Sequence, residues 1–434
     1  MKELRLILLG FGSANSALAQ MLLDKSVQDG ECRRCLRVTS FFDGSFTSKL
    51  IPWKVVCIVT RRHGSVSIPC SATGEINVEI ALERIVNGKM LDDSLIVQNS
   101  NENEQSIPFS TTSSTATDET IKLINRLGDT QTANILVEAI SSNPKSDGEP
   151  AISFIKTALQ AGMHVASANK CPLAHKRNDK ETYFEIQEIA KQNGRLYLHE
   201  SAVMDGVPVF SLWSNVLPNV TCTKIRGLLN STTTMIVSRM EGNIDQVVES
   251  DGKIEYVGET FEKAFEAAKQ MGIVEEDETL DIDGWDAAMK LRALCVFLSS
   301  STQLSSSATY DTIIPSLDEI KRESISQIDQ EQIVREFHRS RKKMRSVASA
   351  KLTVLPSIPT NGQRQHNPIH SWKMSVKNEL LSPNDPLYNL NGTSSSVQFC
   401  TDVMGPITVT SSDPTLSDTA YGLFADVVRI ASQS

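Results

Sequence analysis

The opening of the chain constrains its fold most. Residues 4–9, Leu-Arg-Leu-Ile-Leu-Leu, run straight into Gly10-Phe-Gly12, and the spacing of Leu18, Met21 and Leu22 that follows is helical. This reads as a short buried strand, a glycine turn and a helix. The alternation continues. Val55-Val-Cys-Ile-Val59 is a second strand ending in Thr60-Arg61-Arg62, Ile135-Leu-Val-Glu138 is a later one before a helix over 151–161, and His164-Val-Ala leads into Ser167-Ala-Asn-Lys170. Strands alternating with helices imply a parallel, doubly wound sheet, because each right-handed crossover needs a helix to cover a sheet face.

Two stretches interrupt the pattern: residues 26–53, and the Ser/Thr/Asn-rich 99–117, which has too little apolar content to pack. Both are expected to be surface insertions. Further on, helices are expected over 181–190, 232–240, 260–271 and 285–298, and a strand over 195–198. Period-two apolar residues near Val376, Val397 and Ile407 predict strands, and an amphipathic helix over 419–430 closes the chain. The expected fold class is therefore α/β with a doubly wound parallel sheet. A chain of 434 residues has room for two cores.

Charge and cysteine usage narrow the function classes. A net charge of -9 argues against a nucleic-acid surface, which needs clustered Lys and Arg, and favours a small-molecule substrate. Eight scattered cysteines suit a reducing compartment. Cys32 and Cys35 form a CxxC, but no second pair or His stands at zinc-finger spacing, so two surface thiols are expected rather than a metal site. No apolar run approaches the roughly twenty residues that span a bilayer, and the first one runs directly into glycine. No membrane association and a cytoplasmic location are expected.

Four motifs carry chemistry. Gly10-Phe-Gly12-Ser-Ala-Asn15 follows a buried strand and opens a helix, the setting in which helix amides receive a pyrophosphate; the alternative is an ordinary strand-to-helix turn. Asn15, larger than the usual glycine, is expected to push helix and strand apart or to shift the cofactor. Arg61 and Arg62 stand where an NAD site usually offers an acid, and guanidinium groups there favour a 2'-phosphate, hence NADP, unless they are surface residues. Asp286 and Lys290, four apart, share one helix face. In isolation such a pair is a surface salt bridge, but Trp285, Ala287, Ala288, Leu291, Ala293 and Leu294 leave little polar surface around it, and a lysine so placed must be paired or functional. Lys170 follows a parallel strand at the ligand-binding edge of the sheet, or else simply extends into solvent behind a capping Asn169. The basic run Arg339-Ser-Arg-Lys-Lys-Met-Arg345 reads as a solvated face rather than a polyanion patch.

Taken in order, these segments resemble the homoserine dehydrogenase family. The resemblance rests on the glycine turn, Ala168-Asn-Lys170 with Pro172-Leu-Ala174, Glu200-Ser-Ala-Val203 with Gly206 and Pro208, and Gly227-Leu-Leu-Asn230 with Thr232-Thr233. Its most specific block is Asp281-Ile-Asp-Gly-Trp-Asp-Ala-Ala-Met-Lys290. The resemblance implies a Rossmann-type doubly wound nucleotide-binding domain over 1–170, an inserted α+β domain over 171–415 and, over 416–434, a C-terminal helix returning to the first domain. It also implies reversible NAD(P)H-dependent reduction of L-aspartate 4-semialdehyde to L-homoserine, in the synthesis of threonine and methionine, by a homodimer whose inserted domain is catalytic and dimerising. Lys290 would exchange the proton with the substrate oxygen, Asp286 would hold that ammonium, and Lys170 would lie near nicotinamide and substrate. Glu275 and Asp281 would serve the substrate, Glu275 at its amino group. Gly10, Phe11, Gly12, Ser13, Ala14, Arg61, Ile140 and Lys170 make up the implied cofactor set for NADP, with NAD as the other nucleotide. The loop with Glu200, Val203, Asp205 and Val207 would bind sodium or potassium, largely through carbonyls.

The chain departs from the family pattern at Asn15, at Met204-Asp205 where glycines are usual, and at Ser412-Asp-Pro-Thr415 where a glycine turn is usual. These departures motivate an alternative from another class: a catalytically weak homologue acting as a nucleotide- or metabolite-binding sensor.

Overall fold

The computed structural model describes residues 2–29, 34–42, 45–69, 74–97, 116–142, 146–177, 180–217, 219–242, 249–250, 253–254, 258–275, 277–305, 312–355 and 369–433. The chain separates into two compact units, residues 1–208 with 415–434, and residues 209–414.

The first unit is built on one sheet. It contains β1 (Leu4–Leu9), α1 (Ser13–Asp24), β2 (Ser26–Gln28), β3 (Arg34–Phe42), β4 (Ser45–Val59), β5 (Ser65–Ser67), β6 (Ile135–Glu138), α2 (Ala151–Gln160), β7 (His164–Ser167) and β8 (Tyr197–Leu198). The strands lie in the order β8-β7-β6-β1-β4-β3-β2, with β5 beside β4. Pairing is parallel from β8 through to β4, as the alternation with helices requires. The chain winds from β1 out to β4 and returns past β1 to β6, so the switch point lies between β1 and β6, and the glycine turn sits at the carboxyl end of β1 beside it. Residues 171–208, expected in the second domain, belong to the first unit and contribute β8 to this sheet.

The described parts of residues 26–53, expected as a surface insertion, are built into the sheet. They extend the sheet, with β3 antiparallel to β4 and β2 antiparallel to β3. Leu36 and Val38 are buried while Arg37 and Thr39 are exposed, and Ile51 and Trp53 are also buried. That period-two pattern is what packs the ribbon. Cys35 is buried in β3 rather than a surface thiol; Cys32 lies outside the described residues. Of the expected 99–117 insertion, 99–115 lie outside the described residues, and Ala116 opens the helix Ala116–Asp129. The C-terminal helix Leu416–Gln433 packs on α1.

The second unit holds β9 (Cys222–Leu228), α3 (Ser231–Glu241), α4 (Phe261–Gln270), α5 (Trp285–Ser305), β10 (Lys343–Leu355), β11 (Ile369–Leu381), β12 (Ser395–Thr401) and β13 (Ile407–Ser411). Strands β11-β10-β9-β12-β13 are antiparallel neighbours. Trp372, Met374 and Val376 of β11 alternate inward, and α5 packs on β10 and β11, with the Trp372 indole N–H donating to Ser299 Oγ at 3.1 Å. The close of the basic 339–345 run is not a solvated face. Lys343 lies 3.0 Å from Glu241 Oε1, and Arg345, 1% exposed, pairs with the other oxygen of the same buried carboxylate. Among the described residues no helix is long and apolar enough to cross a membrane.

Candidate active site

The acid–lysine site is assembled at the start of α5. Gly284, with φ +72°, ends the short helix Thr279–Ile282 and lets Trp285 start a new one. The Arg322 guanidinium lies 3.5 Å from the centre of the Trp285 ring, which fixes the beginning of α5. Asp286 is in the first turn, where the helix dipole favours an anion. Ala287, Ala288, Met289, Leu291, Ala293 and Leu294 are all buried, so the pair Asp286–Lys290 is not an ordinary surface bridge. Lys290 Nζ lies 2.9 Å from Asp286 Oδ2; the aspartate side chain is 5% exposed and the lysine 19%. The lysine thus keeps a partly open head while its counter-ion is buried.

Asn230, part of the Gly227–Thr233 motif, joins this pair to the rest. Asn230 caps α3, its Oδ1 accepting the Thr233 amide at 2.8 Å. Its Nδ2 donates to Asp281 Oδ1 at 2.7 Å and to Asp286 Oδ2 at 3.0 Å. One amide group thus bridges two buried carboxylates, and the oxygen it shares with Lys290 is the same. The other oxygen of Asp281 accepts the Glu275 backbone amide at 3.0 Å. Burial, with Asp286 and Glu275 as neighbouring like charges, raises Asp281 to about 6. The Glu275 side chain is exposed. The cap was legible from Asn-Ser-Thr-Thr preceding a helix; the carboxylate bridge was not, because its partners lie more than fifty residues away in sequence.

In the first unit, Gly10 has φ +81°, and a Cβ there would come 2.7 Å from the Ala139 carbonyl oxygen and 2.8 Å from Ile140 Cγ2. Only glycine fits. A Cβ at Gly12 would meet nothing within 4 Å, and α1 begins with neither a side-chain cap nor an acid in its first turn. Ser13 and Ala14 open that turn, so the strand end offers amides to an anion and space beside them, which fits a dinucleotide. Arg61 and Arg62 are exposed in the turn that joins β4 to β5.

Beyond β6 and β7, a second buried network supports Lys170. Glu138, fully buried, accepts Ser167 Oγ at 2.5 Å, the Ile140 amide at 3.0 Å and Asn169 Nδ2 at 3.4 Å. Burial pushes its carboxyl up, against those donors. Asn169 in turn accepts the Cys171 amide at 3.0 Å and Ser142 Oγ at 3.1 Å. Lys170, between them, is half-buried rather than fully solvated. Glu138 was overlooked as a site residue, although an acid closing a buried apolar strand was a signal for it.

The 200–207 loop is held by the C-terminal helix. Glu200 N–H donates to Asp426 Oδ2 at 2.8 Å, Arg429 donates to Glu200 Oε2 at 3.0 Å, and Ser201 Oγ donates to the Thr419 carbonyl at 2.7 Å. Burial raises Asp426 to about 7. Met204 and Asp205, where glycines are usual, both adopt left-handed φ, +58° and +59°, and Asp205 accepts Thr419 Oγ1 at 3.1 Å. The conformation survives without glycine. Among the described residues no group of three or more His, Cys, Asp or Glu could hold a metal, so a cation here would rest on carbonyls.

Comparison with known proteins places the chain among relatives of one family. The family model described as homoserine dehydrogenase matches residues 208–428. An NAD(+)-dependent homoserine dehydrogenase of Pseudomonas canavaninivorans is 26% identical over 99% of this chain and 97% of its own length. A homoserine dehydrogenase of Sulfurisphaera tokodaii is 28% identical over 68% of this chain and 77% of its own length. Among solved structures, a hyperthermophilic archaeal homoserine dehydrogenase in complex with NADPH superimposes with a TM-score of 0.63 at 22% identity, covering 100% of this chain and 98% of that one. The chain belongs to the homoserine dehydrogenase family and is an NAD(P)-dependent oxidoreductase acting on a CH–OH group.

Proposed function

We propose that the chain reduces L-aspartate 4-semialdehyde reversibly to L-homoserine with Lys290 as proton donor; the observation that carries this is the buried Asp286 holding Lys290 Nζ at 2.9 Å. The bound nicotinamide supplies or accepts the hydride. Lys290 gives its proton to the carbonyl oxygen as charge develops there, and takes it back when homoserine is oxidised. Asp286 holds and aims the ammonium, and Asn230 keeps Asp286 in place. Glu275 binds the substrate amino group. Asp281, with both oxygens engaged by Asn230 and the Glu275 amide, sets the position of Glu275. Lys170 serves nicotinamide and substrate from its loop above Glu138.

The first unit takes the nucleotide at Gly10 to Ala14, with Ile140 beside the turn, and Arg61 directs preference to NADP over NAD. The carbonyls of Glu200, Val203, Asp205 and Val207 would hold a sodium or potassium ion; the Glu200 carboxylate is engaged by Arg429. The second unit serves catalysis and dimerisation. The described cysteines are free thiols, nearly all buried, which suits a reducing cytoplasm. No observation favours the sensor alternative.

The test is NADPH oxidation with aspartate semialdehyde by the wild-type chain, followed by analytical ultracentrifugation for the dimer. Absence of turnover alongside nucleotide binding would sink the catalytic reading.

A further inference from the structure

Asn15 stands where the dinucleotide fingerprint carries its third glycine. It was expected to push α1 and the strands apart or to shift the cofactor; its hydrogen bonds give it a further part. Its side chain is fully buried and bonded to the strand ends: Nδ2 lies 3.1 Å from the Leu9 carbonyl oxygen, 3.1 Å from that of Gly10 and 3.4 Å from that of Val137. Three carbonyl oxygens around one group require a donor, so the nitrogen of the amide must face them. Oδ1 is buried with no hydrogen-bond partner among the described residues. Burying an oxygen without a donor is unfavourable, so the residue is held here by what its NH2 group does.

The bond to Gly10 has a geometric consequence for the ligand side. In a trans peptide the carbonyl of one residue and the N–H of the next point in opposite directions. An amide that holds the Gly10 carbonyl therefore turns the Phe11 N–H to the side of the peptide opposite Asn15. The turn is also tied to both neighbouring strands, through Gly10 N–H to the Val59 carbonyl and Ala139 N–H to the Leu9 carbonyl, each at 2.9 Å. Gly10 itself has no room for a side chain, so the peptide plane is set from behind, by Asn15.

We infer that Asn15 is a positioning residue of the nucleotide site: it grips the Gly10 carbonyl and so presents the Phe11 N–H to the cofactor diphosphate, a task for which a glycine at this position has no group. The inference rests on the reading of the glycine turn as the nucleotide site. It makes Asn15 a substitute for the missing glycine rather than a damaged fingerprint.

The experiment measures ADP and adenosine as competitors of NADPH binding, by nucleotide fluorescence, on the wild-type chain and on Asn15→Gly. Asn15→Gly restores the usual fingerprint, yet is expected to weaken ADP and NADPH about tenfold, the equivalent of one modest hydrogen bond. Adenosine, which lacks the diphosphate, should change less than twofold, and kcat at saturating NADPH should hold while KM for NADPH rises. Equal or tighter ADP binding by Asn15→Gly overturns the inference, as does a proportional loss of adenosine, which a purely structural role would produce. If Asn15→Gly fails to fold by circular dichroism, Asn15→Ser, with a single shorter donor, carries the same ADP-against-adenosine comparison. A wild-type chain that binds neither NADPH nor ADP overturns the nucleotide-site reading itself, and is thereby distinguished from a failure of Asn15 alone.

Discussion

Asp286 and Lys290 meet at 2.9 Å one turn apart on a helix whose neighbouring residues are buried, so the ammonium has a fixed partner and a partly open head. General-acid catalysis of this kind contributes roughly 10²–10⁴-fold. Lys290→Ala is therefore expected to lower kcat for homoserine oxidation by about a thousandfold with an unchanged circular dichroism spectrum. Retained activity would remove Lys290 from the proton-transfer role.

Asn230 separates the carboxylates of Asp281 and Asp286 with a single NH2 group. Asn230→Asp replaces that donor with a third carboxylate and is expected to destabilise the fold by several kcal/mol, on the order of 3–5, as well as abolish turnover. Asn230→Ala, which leaves both acids short of a donor and removes the helix cap, should cost about 2–4 kcal/mol. Urea unfolding of both variants measures the difference, and a smaller loss for Asn230→Asp would contradict the bridging role.

Asp281 is raised from its ordinary value near 3.8 to about 6, burial being the main cause. The folded state then binds more protons than the unfolded chain between these values, so the stability this group contributes is complete below pH 3.8 and is lost as pH rises through about 6. A shift of this size corresponds to about 3 kcal/mol. Asp281→Asn cannot titrate, so any fixed offset it carries is independent of pH. Stability measured from pH 4 to 7 should show the wild-type chain losing ground to Asp281→Asn; parallel curves would show that Asp281 titrates normally.

A Cβ on Gly206 would overlap the Asp418 carbonyl oxygen and come within 2.8 Å of the Gly422 amide nitrogen. Gly206→Ala should displace the start of the C-terminal helix and lower stability by about 2 kcal/mol or more. Asp205→Gly is the contrasting case: relief of left-handed strain, roughly 1–2 kcal/mol, offsets loss of the Thr419 bond, so its stability should stay within about 1 kcal/mol of wild type. Thermal unfolding of the two variants tests the difference.

If Arg61 meets a 2'-phosphate, its charge-assisted contact contributes only with NADPH. Arg61→Ala should raise KM for NADPH roughly ten- to a hundredfold while leaving NADH within about twofold. An equal change for both nucleotides would show that Arg61 does not discriminate between them.

Much of this molecule is local. The apolar run 4–9 stopped by Gly10, the alternation of strands and helices, the period-two residues of β11 and β12 and the long helix from Trp285 follow from the order of residues along the chain, because side-chain periodicity and glycine freedom act within a few residues. The i, i+4 spacing of Asp286 and Lys290 was legible for the same reason. What the tertiary structure alone decided are the encounters between distant segments. Within 26–53, β2 and β3 became sheet because β3 pairs along β4 and β2 along β3. Asn230 became a bridge because β9 ends beside α5. Asn15, which looked like a defect, found three carbonyls at the ends of β1 and β6. Met204 and Asp205 keep a glycine conformation in a loop that the C-terminal helix grips through Thr419. A hydrogen bond depends on atoms meeting within about 3 Å, and only the folded chain brings such groups together.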